Sequence, residues 1–153
     1  MARTLTTEEE QILTDFRLRR EIFANYLTEY DKDFTMYTCP SCGYPTLSER
    51  SGYEICDICN WEDDGQDNED ADEVTGGPNY ELSLTDSRLV IGKELKELAE
   101  KLKGEIITNP TIFLEIFKEH NKRISILIKN KKYGEKITET REILINNLIQ
   151  IKK

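Results

Sequence analysis

Apolar side chains recur near a helical period through the first thirty residues. Ile12, Phe16, Phe23, Tyr26, Leu27 and Tyr30 follow that pattern, with Arg17, Arg19 and Arg20 set among them. Just upstream, Thr6 with Glu9, or Thr7 with Glu10, has the spacing of a capping box, and acids in a first turn suit the positive end of a helix dipole. Residues 1–34 are therefore expected to form an N-terminal helix. The pattern breaks over residues 35–62, where Gly43, Pro45, Gly52 and short runs such as Tyr53-Glu54-Ile55 predict turns and short strands. Residues 63–80 are polar, acidic and carry Gly and Pro, which predicts a long loop. A helical stripe resumes with Leu84, Ile91, Leu95, Leu98 and Leu102, capped by Ser83 or Thr85 and closed by Gly104 as the residue past the helix end. Asn109-Pro110 marks another start, cap then proline. Phe113, Ile116, Phe117, His120, Ile124, Leu127 and Ile128 extend that helix toward Tyr133-Gly134, although the β-branched run 124–128 could end it earlier. Ile137, Arg141, Leu144, Leu148 and Ile151 predict a last helix. No internal repeat is visible.

The resulting fold class is α+β and mostly helical: a small β-hairpin module flanked by N-terminal and C-terminal helices. Three segments are expected, 1–34, 35–83 and 84–153. At 153 residues the chain is long enough for an ordinary core.

Charge sharpens these boundaries. The net −9 divides into −3 over residues 1–34, −11 over 35–83, where Arg50 is the one cation, and +5 over 84–153. An acidic chain is a poor match for a phosphate backbone. No apolar run approaches the roughly 20 residues of a membrane span. The first ten residues lack the apolar stretch of a secretory leader, so a cytoplasmic location is expected.

All four cysteines fall in the acidic middle, as Cys39-Pro40-Ser41-Cys42 and Cys56-Asp57-Ile58-Cys59 with thirteen residues between the pairs. Each C-x-x-C turn offers two sulfurs, half of a tetrahedron, and a hairpin between the pairs would bring the halves together. Borderline-soft, tetrahedral Zn²⁺ suits such a set. Two disulfides would require an oxidising compartment. A redox-active Cys-Pro-Ser-Cys would normally open a helix and would leave the second pair unexplained. An iron–sulfur cluster can also use four cysteines. Four thiolates leave no open position on the metal, so a structural rather than catalytic ion is expected. His120, the one histidine, falls on an apolar helix face and is expected to be packed.

Trp61 follows the last cysteine and is expected to pack over the metal turns. After it come Glu62, Asp63, Asp64, Asp67, Glu69, Asp70, Asp72 and Glu73, eight carboxylates in twelve residues with no cation among them. Aligning the required glycine of a helix–loop–helix calcium site on Gly65 puts Ala71 where its bidentate Glu belongs, so that motif fails. The stretch is then a solvated acidic loop, a looser divalent-cation site, or an electronegative surface for a basic partner. The basic tail of the chain itself is one such partner. Asp63 and Asp67 are the carboxylates that Mg²⁺-dependent nuclease chemistry would use.

Cys39-Pro40-Ser41-Cys42-Gly43-Tyr44, Tyr53-Glu54-Ile55-Cys56 and Cys59-Asn60-Trp61-Glu62-Asp63-Asp64-Gly65-Gln66-Asp67 together resemble the bacterial cysteine-rich CPCC family. The likeness continues through Ala71-Asp72-Glu73-Val74, Gly76-Gly77-Pro78-Asn79 and Leu82-Ser83-Leu84 to Arg88, covering about residues 37–90. The resemblance implies a zinc-ribbon-like module in cytoplasmic bacterial proteins without an established enzymatic activity, found near secreted-toxin loci. The family's motif has two adjacent cysteines, and Ser41 stands at the first of them. The ligand set is then Cys39, Cys42, Cys56 and Cys59.

The expected function is accordingly non-enzymatic: a zinc-binding protein that acts by protein–protein interaction, as an immunity protein neutralising a cognate toxin. The eight carboxylates of residues 62–73 would form the surface for a basic protein partner, with no membrane role. The alternative is a nucleic-acid or transcription-associated zinc ribbon using Lys118, Lys122, Arg123, Lys129, Lys131 and Lys132. A Gly-rich phosphate loop, a Ser/His/Asp set and a His-based metal triad are all missing from the sequence, and no enzyme activity is expected.

Overall fold

In the computed structural model, which describes residues 3–29, 36–130 and 135–151, the first helix, α1, spans Thr7–Glu29. Of the two capping boxes available, Thr6 and Glu9 form one. The Glu9 N–H donates to Thr6 Oγ1 at 3.1 Å, and the Thr6 N–H donates to the Glu9 carboxylate at 3.0 Å. The buried stripe of α1 is Ile12, Phe16, Arg19 and Phe23. Arg19 thus takes a position that helical spacing would give to an apolar residue. Tyr30, Lys131, Lys132 and the Tyr133-Gly134 stop lie outside the described residues, as do the side chains of Leu27 and Ile137.

Two short hairpins follow. Strands β1 (Tyr37–Thr38) and β2 (Pro45–Leu47) pair antiparallel, and Ile55 bridges Glu62 in the second hairpin. The stretch expected to be a long loop is folded on itself, with 3-10 turns at Asn68–Asp70 and Gly77–Asn79. Gln66 is buried there, and its side-chain amide donates to the carbonyls of Asp70 and Glu73 at 3.1 and 2.8 Å. Helix α2 (Leu84–Leu102) starts at Ser83, whose hydroxyl accepts from the Asp86 N–H at 3.0 Å while the Asp86 carboxylate accepts from the Ser83 N–H at 3.2 Å.

The expected end of α2 shifts by one residue. Lys103 takes the left-handed conformation at φ 55°, and Gly104 opens strand β3 (Gly104–Ile106). A Cβ on Gly104 would stand 2.6 Å from the Gln150 carbonyl. That glycine therefore serves close strand approach rather than helix termination. Helix α3 (Pro110–Lys129) begins as expected with Asn109, whose side chain accepts from the Ile112 N–H at 3.1 Å, and it continues through the β-branched run 124–128. Helix α4 (Glu135–Asn147) stops before Leu148, and Ile149–Ile151 form strand β4 instead. Strands β3 and β4 pair antiparallel with Gly104 opposite Ile151 and Ile106 opposite Ile149.

Two compact units result, residues 1–94 and 95–153, with α2 running from one to the other. This differs from the three segments expected at 1–34, 35–83 and 84–153. Helix α1 packs on the cysteine module, with the rings of Phe23 and Tyr44 5.2 Å apart. The first half of α2 is buried in the same unit, and a Cβ on Gly92 would fall 2.2 Å from Ile12 Cγ2. Charge composition marks the acidic segment but not what packs against it. In the second unit α3 and α4 pack on each other, and Phe113, Phe117 and His120 form a buried edge-on ring series with centroids 5.5 and 5.7 Å apart. Among the described residues, no helix is long and apolar enough to cross a membrane.

Candidate metal centre

The two C-x-x-C segments fold into the same backbone turn, seventeen positions apart. In the first, the Cys39 N–H donates to the Tyr44 carbonyl at 2.8 Å and the Gly43 N–H to the Cys39 carbonyl at 2.9 Å. In the second, the Cys56 N–H donates to the Trp61 carbonyl and the Asn60 N–H to the Cys56 carbonyl, both at 2.9 Å. The residue after each pair is left-handed, Gly43 at φ 84° and Asn60 at φ 64°, a conformation that glycine and asparagine tolerate best. Inside each turn a backbone N–H points at the leading sulfur, Ser41 to Cys39 and Ile58 to Cys56, both at 3.4 Å. A geometric repeat is therefore present where the sequence shows none. It is carried by hydrogen bonds that constrain few side chains.

The four sulfurs come together from these turns. All of them lie within 4.8 Å of one another. Two separations that cross between the turns are 3.6 Å for Cys39–Cys59 and 3.7 Å for Cys42–Cys56. A tetrahedral ion with metal–sulfur bonds near 2.3 Å needs sulfur–sulfur edges of about 3.8 Å, so the cluster has the dimensions of a Cys₄ metal site. Thr46 Oγ1 adds a polar contact to Cys56 Sγ at 3.0 Å. Burial pushes the Cys39 and Cys42 thiols well above their ordinary range. At Cys59 burial also opposes the thiolate, but hydrogen bonds from Cys39, Cys42, Cys56 and Ser41 outweigh it and pull the thiol down. Four sulfurs crowded in this way share negative charge well only around a cation.

Arginines of the two helices hold the first turn from outside. Arg19 of α1 donates through Nε to the Cys42 carbonyl at 2.8 Å, and its guanidinium lies over the Tyr44 ring. Arg88 of α2 donates through Nε to the Pro40 carbonyl at 2.8 Å and stacks over Phe16 at 4.4 Å. Burial, with the charge of Arg20 beside it, lowers the Arg88 pKa to about 10. Ser41 is fully buried and its hydroxyl meets that of Ser87 at 2.6 Å. Residues 37–93 match the family described as Cysteine-rich CPCC. The CPCC segment covers somewhat over a third of the chain and ends one residue before the first compact unit does. Helix α1 lies outside it but supplies Arg19. Neither the comparison with curated proteins nor that with solved structures gives a match.

The acidic stretch over residues 62–73 is not uniformly exposed. Asp63, expected to face a partner, is fully buried. One of its oxygens accepts from Arg50 Nε at 2.9 Å and the Ser51 N–H at 2.7 Å, the other from the Gly65 N–H at 3.2 Å. Asp67 receives both Nη groups of Arg20 at 2.7 and 2.8 Å and Arg50 Nη1 at 3.0 Å, with Arg88 Nη2 at 3.7 Å. Burial would raise the Asp67 pKa, but Arg20, then Arg50 and the Asn68 N–H, more than reverse that and hold the carboxyl well below the usual range. Asp63 and Asp67 do converge, yet the cation they share is Arg50, which occupies the place a divalent ion would need. Asp64 accepts from the Gln66 N–H and the Thr75 hydroxyl, Asp70 caps the turn through the Asp67 N–H, and Asp72 accepts from the Thr85 hydroxyl. Glu62, Glu69 and Glu73 have carboxylates with no hydrogen bond or ion pair among the described residues.

Arg19, Arg20 and Arg88 are functional neighbours that residue spacing did not single out. For Arg19 the available signal was an arginine three residues after Phe16 in an apolar helix stripe, which needs a buried acceptor to be stable there. Trp61 is buried at the end of the second turn.

Proposed function

We propose that the four-cysteine centre holds a structural zinc ion and that the chain works by binding another protein, as an immunity protein that neutralises a cognate bacterial toxin. The ligand set carries this reading. Four soft thiolates at tetrahedral spacing select zinc among the common divalent ions, and they fill its coordination shell, leaving no position where water or substrate would be activated. A reduced thiolate centre belongs in a reducing compartment, so the cytosol is the expected location. The acidic segment retains Glu62, Glu69 and Glu73 as uncommitted negative charge, which favours encounter with a basic partner. The CPCC likeness, with its association with toxin loci, points the same way.

The test is co-expression with a basic protein encoded beside this chain. Stable co-purification and rescue of cells that express that protein are the expected outcomes. Failure both to bind and to protect would overturn the immunity reading.

A further inference from the structure

The exposed side of the second cysteine hairpin carries large apolar residues that the fold does not use. Tyr53, Ile55 and Tyr80 are 58%, 55% and 80% exposed. Ile55 and Glu62 stand opposite each other in an antiparallel pair, so their side chains leave the same face. The outer edge of Glu62 is gripped by Asn79, which donates from Nδ2 to the Glu62 carbonyl at 2.8 Å and accepts the Glu62 N–H at 3.0 Å. Tyr80 follows Asn79 directly in the chain, so its backbone lies close to Glu62. The Tyr53 N–H donates to the Asp63 carbonyl at 2.9 Å, so the backbones of all three exposed residues lie close to Glu62.

The backbone at both tyrosines is of the kind glycine favours. Tyr53 sits at φ 63° and Tyr80 at φ 57°, ψ −123°, conformations in which a bulky side chain is strained. Neither ring makes a ring or cation contact among the described residues, and the two backbones are held by hydrogen bonds instead, Tyr53 N–H to the Asp63 carbonyl at 2.9 Å and Tyr80 N–H to the Gly77 carbonyl at 3.2 Å. Tyrosine is among the side chains enriched at the hot spots of protein interfaces, and its ring face attracts lysine and arginine.

We propose that Tyr53, Ile55 and Tyr80, with Glu62 at their centre, form the docking surface for a protein whose contact face combines apolar side chains with lysine or arginine. The acidic setting of these residues selects a basic occupant: Glu62 stands opposite Ile55, and Arg50, the one cation of residues 35–83, is committed to Asp63 and Asp67. The inference rests on the protein-binding reading above and narrows it, since the contact would centre on this face and not on Glu69 to Glu73.

An alternating leucine–lysine peptide, with its leucine–glutamate counterpart as control, tests this by ¹⁵N–¹H shift mapping on the full chain. Saturable shifts at residues 53–55, 62 and 80 with the lysine peptide alone are expected. Y53G/Y80G should weaken that binding at least tenfold while raising the unfolding midpoint, because glycine relieves both strained positions. Ile55→Lys, a change at an exposed side chain, should weaken binding as well. Shifts confined to residues 69–73, no shifts at all, or binding unchanged by both variants would overturn the surface. These outcomes are separable from the immunity reading, which stands or falls on protection by the neighbouring basic protein.

Discussion

The two cysteine turns share one backbone design and live in different surroundings. The first is buried from Cys39 through Leu47, roofed by α1 and α2, and tied to them by Arg19 and Arg88. The second exposes Asp57 and Asn60 and leaves Cys59 partly open. The same hydrogen-bond pattern is thus covered by two helices in the first turn, while in the second Cys56, Ile58 and Trp61 are buried and Asp57 and Asn60 face solvent, so a bound ion would matter more there. Local sequence determines the turn, and tertiary packing determines what happens to it when the ion is lost.

Removing the metal is the largest perturbation of this comparison. Zinc contributes on the order of 10–16 kcal/mol in small modules, most of it folding energy. With a chelator, or with Cys56→Ser, amide exchange over residues 53–63 should accelerate far more than over 39–47, where α1 and α2 persist as a cover. Equal acceleration in both turns would mean that the helices give the first one no independent support.

Next in size is Asp63→Ala. It leaves Arg50 and the Ser51 and Gly65 N–H groups without their shared acceptor, and uncoupling a buried ion pair of this kind costs about 3–5 kcal/mol. Denaturant midpoints should show that loss, whereas Glu73→Ala on the exposed part of the same acidic run should change stability by less than about 0.5 kcal/mol. Similar effects from both would contradict the division of the stretch into internal and external carboxylates.

Asp67 adds a pH dependence. Its carboxyl is held below the ordinary value in the folded chain by Arg20 and Arg50. Its contribution is therefore complete above the unfolded pKa of about 3.9 and is lost as pH falls below that toward the folded value. The difference in stability between the native chain and Asp67→Asn should stay constant from neutral pH down to about 5 and then shrink. A difference that grows on acidification would reverse the sign and refute the ion-pair account. The smallest effect is expected at Asn60→Gly, which relaxes the left-handed residue of the second turn and should stabilise by at most about 1 kcal/mol.

The sulfur ligands were legible because two C-x-x-C pairs are local patterns with few alternative uses. Three helix starts were legible for the same reason, since Thr6, Ser83 and Asn109 cap within three residues of themselves. What composition could not separate was Asp63 from Glu73. Both are acids in one run, and the difference lies in Arg50, 13 positions from Asp63, which only the fold brings near. The end of the chain was misread for a related reason. Leu148 and Ile151 continue a helical period, but three residues pairing with Gly104–Ile106 are enough to draw the segment into a strand. Arg19 was hidden because an arginine in an apolar stripe looks like a boundary until its acceptor, the Cys42 carbonyl, is in place.

The central claim is that four thiolates hold one metal ion on which the second turn depends. Native mass spectrometry of the purified, unreduced chain tests it most directly. One zinc per chain, lost together with the fold of residues 53–63 when all four thiols are alkylated, is the predicted result. A metal-free chain that keeps both turns ordered, or one carrying two disulfides, would contradict it.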